Sequence, residues 1–206
     1  MNIITISREF GSGGRELGKR IADILGFDYY DREIVSAIAA RQHLDENYIE
    51  NVLSNHGWQD IPLTYRRTFA APSALRTEHV NLLLEEKRVI EGIAKAGKDC
   101  VIVGRNADVL LGEEKPFSIF VCAQTDVKVR RCIQRAEGRE TLSYKEAEQK
   151  IKHIDKNRAR TRALLTNSVW GQRDAYQLIV NTTDWEIREL APAVADYAKS
   201  YFRRTK

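Results

Sequence analysis

The chain opens with Asn2-Ile3-Ile4-Thr5-Ile6-Ser7 and runs on into Arg8-Glu9-Phe10-Gly11-Ser12-Gly13-Gly14-Arg15-Glu16-Leu17-Gly18. This stretch constrains the fold more than any other. A short uncharged run rich in β-branched side chains predicts a strand buried on both faces. The glycines at 11, 13, 14 and 18 predict a tight turn. From Arg15 to Leu25, apolar residues at Leu17, Ile21, Ala22, Ile24 and Leu25 follow helical spacing. A strand, a glycine turn and a helix in this order aim main-chain N–H groups and a helix N-terminus at a phosphate. A plain βα turn whose glycines supply positive φ is the simpler reading of the same residues.

The turn departs from the common phosphate-loop motif G-x-x-x-x-G-K-[ST], in which a lysine reaches the β- and γ-phosphates and a hydroxyl reaches magnesium. The nearest register places Arg8 at the first glycine, Gly13 at the last and Gly14 at the lysine. Arg15 follows, and its guanidinium can take up the missing lysine's contact with two parallel bonds to phosphate.

A chain of 206 residues with 43% hydrophobic content has ample material for a core. A net charge of +4 is too small to argue for nucleic acid, and no nucleic-acid partner is expected. Cys100, Cys122 and Cys132 lack metal or disulfide spacing, and Cys100 and Cys122 fall in apolar runs that predict burial. No basic leader and no long apolar segment is present, so a soluble, cytoplasmic protein without membrane partners is expected.

Further strands are predicted at Asp28 to Tyr30, Cys100 to Val103, Phe117 to Cys122 and Leu178 to Asn181. The longer of these runs are continuously apolar, as strands of a parallel sheet are, and helical stretches separate them. The class is therefore α/β, with right-handed crossovers. Residues 32–75 read as a helical, partly aromatic insertion, with helices expected around Arg32 to Arg41 and Glu46 to Ser54. Thr77 to Ala96 predicts a long helix ended by Gly97. Residues 130–162 are rich in arginine and glutamate, with a break before Ser143, whose pairing with Glu146 has the form of a capping box. Thr183 to Phe202 predicts a C-terminal helix.

Ligands of such sheets bind at the carboxyl ends of the strands. Asp31 follows the second strand there, as a ligand or a helix N-cap, and Gly104-Arg105-Asn106 follows the third. Arg131 and Arg135 share one helix face, as do Arg158 and Arg162. Phosphoryl transfer places charge on the equatorial oxygens of the moving group, which clustered arginines neutralise. A solvated charged helix pair is the simpler reading of each arginine alone.

The pattern resembles the cytidylate kinase-like family of P-loop nucleoside monophosphate kinases, nearly end to end. The resemblance rests on Ile4-Thr5-Ile6 before the glycine loop, Tyr30-Asp31, Val103-Gly104-Arg105-Asn106 and Asp155-Lys156-Asn157-Arg158. The Ser-Arg-Glu-Phe-Gly-Ser-Gly-Gly-Arg-Glu string is similar to a signature of a divergent subgroup. Gly14 stands where typical members carry the lysine, Glu16 where they carry a magnesium-ligating threonine, Ser7 where they carry an aspartate, and Asn106 where they carry the aspartate after the arginine.

The resemblance implies a three-layer P-loop kinase fold, with a central parallel sheet of about five strands, helices on both faces and a helical insertion. It implies one domain over 1–206, with 32–75 an acceptor-binding insertion and 130–162 an arginine-rich lid. It further implies ATP-dependent phosphoryl transfer to a nucleoside monophosphate of the CMP or dCMP kind. A kinase of another small metabolite and a non-catalytic nucleotide-binding module are the alternatives. ATP and magnesium are the implied cofactors and nucleotides the implied partners, in a monomer or homodimer. Gly11, Ser12, Gly13, Gly14, Arg15 and Glu16 are expected to cradle the donor phosphates, with Glu16 toward magnesium. Asp31, Arg105, Asn106, Asp155 and Arg158 are expected at the acceptor, with Arg105 and Arg158 on its phosphate and Asp155 on its sugar. Arg15, Arg131, Arg135 and Arg139 are expected to act on the transferring group.

Overall fold

The computed structural model of the chain describes residues 1–31, 72–136 and 142–205, together with positions 34, 36, 37, 40 and 43. Five strands form one sheet in the order β2-β3-β1-β4-β5, and every neighbouring pair is parallel. They are β1 (Ile3–Arg8), β2 (Asp28–Tyr30), β3 (Cys100–Val103), β4 (Phe117–Cys122) and β5 (Leu178–Asn181). β1 is central, pairing Ile3 with Cys100 on one side and Ile4 with Phe117 on the other. Its continuous apolar run follows from that position, since both faces are covered.

The helices are α1 (Gly14–Leu25), α2 (Pro72–Lys95), α3 (Ala107–Leu110), α4 (Thr125–Ala136), α5 (Tyr144–Leu165) and α6 (Ile187–Thr205). On one face of the sheet, Ile4, Ile6, Val103 and Ile119 pack against Leu17 and Ile21 of α1 and against Ala191, Val194 and Ala198 of α6. On the other, Ile3, Cys100 and Ile102 pack against Leu82, Val89 and Ile90 of α2 and against Ala107 of α3. Alternate residues of one strand thus serve opposite layers, which makes the three-layer α/β arrangement expected from the sequence. Cys100 is fully buried, whereas Cys122 at the end of β4 is only half-buried.

The helix boundaries follow local chemistry. Gly26 ends α1 in the left-handed conformation at φ 69°. Gly97, at φ 73°, follows α2. Ser143 and Glu146 complete the predicted capping box of α5: the Ser143 amide donates to Glu146 Oε2 at 2.9 Å, and the Glu146 amide donates to Ser143 Oγ at 3.3 Å. The helix that carries Arg131 and Arg135 runs from Thr125 to Ala136, and the C-terminal helix begins later than expected, at Ile187. Of the helix expected around Arg32 to Arg41, Ile34, Ser36, Ala37 and Ala40 are described and helical, whereas the helix expected around Glu46 to Ser54 and most of the rest of 32–75 lie outside the described residues. Among the described residues no helix is long and apolar enough to cross a membrane.

α1 sits unusually near the sheet because Gly18 faces it. A Cβ at Gly18 would lie 2.8 Å from Val103 Cγ2 and 2.9 Å from Ile6 Cδ1. Overpacking a buried contact of this kind costs about 1–3 kcal/mol, more than the helix propensity that valine gains over glycine. Gly18→Val is therefore expected to lower the urea midpoint with an unchanged m-value; an unchanged midpoint would contradict the close approach.

Candidate functional site

The loop between β1 and α1 is held open at its centre. Gly11 (φ 81°) and Gly13 (φ 83°) take left-handed conformations, and a Cβ at Gly13 would come within 2.6 Å of Ile187 Cδ1. Ser12 is buried and donates to Glu9 O through its amide at 3.3 Å and its hydroxyl at 2.8 Å. α1 then starts at Gly14, with Gly13 as N-cap and no side chain capping it. The first-turn amides, from Gly14 through Arg15 and Glu16, are left to an anion by the usual rule for uncapped helix starts. All six residues expected at the donor phosphates thus lie together.

Arg131 has a different place from the one expected. Its Nη1 donates to Ser12 O at 3.2 Å and Thr182 Oγ1 at 2.9 Å, and its Nη2 donates to Thr182 O and Trp185 O, each at 3.0 Å. Thr182 Oγ1 itself donates to Ser12 O at 2.6 Å. Four hydrogen bonds fix Arg131 as a brace between α4, the glycine loop and the end of β5, so it is not a free cation closing over the site. Arg135 is exposed and lies 3.6 Å from Glu16 Oε2, while Arg20 donates to Glu16 Oε1 at 2.9 Å. Arg139 lies outside the described residues. Arg162, the face partner of Arg158, is buried against Asp108 at 2.5 Å and over the Tyr176 ring. It anchors α5 to α3.

Four other arginines converge. Arg8, at the end of β1, lies 3.8 Å from Asp31, and Arg15 Nε lies 2.5 Å from the same carboxylate. Arg158 on α5 reaches across to donate to Arg8 O at 2.8 Å. Arg105 follows Gly104 at the end of β3. Gly104, Arg105 and Asn106 all have left-handed φ, of 78°, 59° and 49°, a costly run for non-glycine residues that turns the main chain sharply out of the strand. Asn106 then caps α3 through its main chain, without a side-chain hydrogen bond.

Burial first, then the charges of Arg158, Arg105 and Arg15, bring the Arg8 guanidinium down to about 9 against the opposing pull of Asp31. Burial also lowers Arg158, against Asp155 and again with Arg105 and Arg15. Arg8 and Arg158 thus both feel the charges of Arg15 and Arg105, and a group of guanidinium side chains this close suits a phosphate dianion.

Asp155 sits beside this cluster rather than within it. Its Oδ1 accepts from the Phe10 amide at 2.7 Å and lies 3.5 Å from Arg158, and its Oδ2 lies 3.8 Å from Lys128 Nζ. Lys128 in turn donates to Glu9 at 2.9 Å. In this structure Asp155, expected on the acceptor sugar, ties α5 to the glycine loop. Burial nevertheless raises the Asp155 carboxyl to about 6, against the Phe10 amide and both cations.

Sequence reasoning passed over Arg8, Glu86 and Thr182. For Arg8 the signal was its place at the motif's first glycine. Glu86 lies in an ordinary charged run of α2, but it is buried with Oε1 lacking a hydrogen-bond partner, 3.6 Å from Arg105 Nε.

Among the described residues, no three of His, Cys, Asp and Glu gather as a metal cage. Magnesium on nucleotide phosphates needs only one or two carboxylates and keeps its waters. Glu16, part-exposed in the first turn of α1, fits one such water-mediated contact once Arg20 and Arg135 yield to it.

Glu86 yields a pH prediction. Burial raises its carboxyl from the ordinary 4.5 to about 7, against the pull of Arg105. The folded chain thus holds this proton more tightly than the unfolded one. The stability it contributes is full below about pH 4.5 and is lost as pH rises through about 7. Glu86→Gln is expected to remove that slope, so urea midpoints from about pH 5 to 8 should shift progressively in the variant's favour. A constant difference between variant and wild type would contradict the raised carboxyl.

No curated protein matches this chain. Among solved structures, an uncharacterized protein from Eubacterium ventriosum aligns with a TM-score of 0.71 at 21% identity, over 97% of this chain and 99% of that one. Shikimate kinase from Acinetobacter baumannii, in complex with shikimate, aligns with a TM-score of 0.56 at 14% identity, over 98% and 94% of the two chains. Shikimate kinase from Bacteroides thetaiotaomicron gives 0.56 at 16% identity, over 96% and 98%. At these identities the likeness is one of fold, the three-layer fold of P-loop kinases. The sequence profile of the cytidylate kinase-like family covers residues 3–184, from the first residue of β1 to just beyond β5. With the phosphate loop and arginine cluster lying inside that span, the chain belongs to the cytidylate kinase-like family.

Proposed function

We propose that this protein transfers the γ-phosphoryl group of ATP to a nucleoside monophosphate, with CMP and dCMP the first candidates. The kinase-like family and the kinase fold support phosphoryl transfer in general. The observation that carries the acceptor class is the grouping of Arg8, Arg15, Arg105 and Arg158 at the carboxyl ends of β1, β2 and β3, close enough for the charges of the other three to lower the Arg8 guanidinium, with Arg8 and Arg15 on Asp31. Such a surplus of guanidinium groups suits an acceptor that is itself a phosphate, whereas an uncharged acceptor needs no such cluster.

In this reading the amides of the glycine loop and the first turn of α1 hold the donor phosphates. Arg105 and Arg158 grip the acceptor phosphate, and Arg15 orients Asp31 at its edge. The bond from the γ-phosphorus to the β-phosphate oxygen breaks, with its electron pair leaving on ADP. A bond from the same phosphorus to an acceptor phosphate oxygen forms, giving a nucleoside diphosphate. A dianionic acceptor oxygen has no proton to lose, so the step needs positioning and cations rather than a general base. Magnesium, when bound, would be held through its waters by Glu16 and would neutralise charge on the donor phosphates.

The test is coupled ADP release with CMP, dCMP, UMP, AMP, GMP, shikimate and a no-acceptor control. Turnover of CMP or dCMP well above the control is expected. Turnover of shikimate alone would move the acceptor to a non-nucleotide metabolite, and ATP binding without any turnover would favour a regulatory module. A guanidinium–phosphate contact is worth about 1.5–3 kcal/mol, so Arg105→Met and Arg158→Met are each expected to raise the acceptor KM by ~10–100-fold while the ATP KM stays within about threefold. Equal effects on both substrates would contradict the assignment.

A further inference from the structure

We propose that Arg8 supplies the cation that a phosphate-loop lysine supplies in other P-loop kinases, its guanidinium meeting the phosphoryl group as it passes from donor to acceptor. This rests on the phosphoryl-transfer reading above and gives the lysine's part to a strand residue rather than to Arg15. Three observations carry it.

The first is steric. Gly14 occupies the position of the missing lysine, and a Cβ there would lie 2.6 Å from Arg8 Cβ and 3.1 Å from its Cγ. The Arg8 stem thus fills the room that a side chain at 14 would need. At its other end, a Cβ at Gly104 would sit 1.5 Å from Arg8 Nη1 and 2.6 Å from Cζ. Two bare glycines, one opening the phosphate-loop helix and one leaving β3, frame a single extended side chain. That side chain runs from the donor loop to the acceptor cluster.

The second is its bonding. Arg8 is mostly buried, with 15% of its side chain exposed, and among the described residues its guanidinium donates no hydrogen bond. Its contact with Asp31, at 3.8 Å, is longer than a hydrogen bond. Arg15, in contrast, is about half exposed and closely paired with Asp31. Arg8 therefore keeps its donors for a ligand, whereas Arg15 has spent at least one.

The third is rigidity. Arg8 lies at the end of the central strand, and its carbonyl accepts from Arg158 at 2.8 Å. A donor fixed before the reaction is worth more to a developing charge than one that must be ordered during it. As the bond to the β-phosphate oxygen of ADP breaks and the bond to the acceptor oxygen forms, Arg8 donates to the equatorial oxygens between them.

The experiment compares Arg8→Met and Arg8→Lys with wild type in steady-state kinetics, thermal melting and calorimetric titration with inorganic tripolyphosphate. Removing one such donor costs ~10²–10³ in kcat, so Arg8→Met is expected to lose at least ~100-fold in kcat with either KM moving less than about fivefold. Arg8→Lys should recover at least about tenfold of that loss, a rescue that a purely structural role would not give. The Arg8→Met melting temperature should not fall, because the substitution relieves repulsion among buried arginines. A kcat for Arg8→Met within about threefold of wild type would overturn the assignment. If the wild type turns over no nucleoside monophosphate, the acceptor reading fails and the tripolyphosphate titration decides Arg8 alone. Binding weakened by about three- to fivefold in Arg8→Met supports it. Equal affinity in both proteins, or no binding by the wild type, overturns it.

Discussion

The structure turns on an electrostatic imbalance. Four guanidinium groups, on Arg8, Arg15, Arg105 and Arg158, gather at the carboxyl ends of the strands, the first two on Asp31, Arg105 on Glu86 and Arg158 on Asp155. Gathering like charges in a partly dehydrated place costs folding free energy, and a lowered guanidinium at Arg8 reports that cost. The arrangement becomes favourable when an anion arrives. In the proposed reading, a bound phosphate would relieve that repulsion.

Much of the remaining architecture keeps that cluster from flying apart. Arg131 ties α4 to the glycine loop and the end of β5. Asp155 and Lys128 tie α5 and α4 to residues 9 and 10 of the loop. The buried pair of Arg162 and Asp108 fastens α5 to α3, beside the turn that carries Arg105. Each tie ends on main chain or on a charge near the phosphate loop, so helices on opposite sides of the site are referenced to one point. Arginine serves two purposes here. Where its donors are consumed by carbonyls it is a strut, and where they are left open, as at Arg8, it is the group proposed to meet a ligand.

The sheet was legible in the sequence because continuous apolar runs and β-branched residues leave little choice for a strand covered on both faces. The glycine loop was legible because Gly11 and Gly13 need positive φ. Arg105 could be singled out by its position after a strand, and Arg158 by family resemblance, and the fold brings both near Arg8. Arg131 could not be read correctly: its spacing from Arg135 puts both on one helix face, but the carbonyls that capture it belong to residues 12, 182 and 185. Arg8 was hidden for a related reason. Its setting depends on two glycines, at 14 and 104, that the chain brings together only when folded. Glu86 gave no signal at all, since burial of one carboxylate in a charged run is decided by packing.

The most direct test of this account is a crystal structure with magnesium, ADP, CMP and a planar metal-fluoride mimic of the phosphoryl group. The account predicts the fluoride group between the ADP β-phosphate and the CMP phosphate, with the Arg8 guanidinium within about 2.7–3.1 Å of it. Arg105 and Arg158 should lie on the CMP phosphate. A mimic held by Arg15 or Arg135, with Arg8 still facing only Asp31, would contradict it.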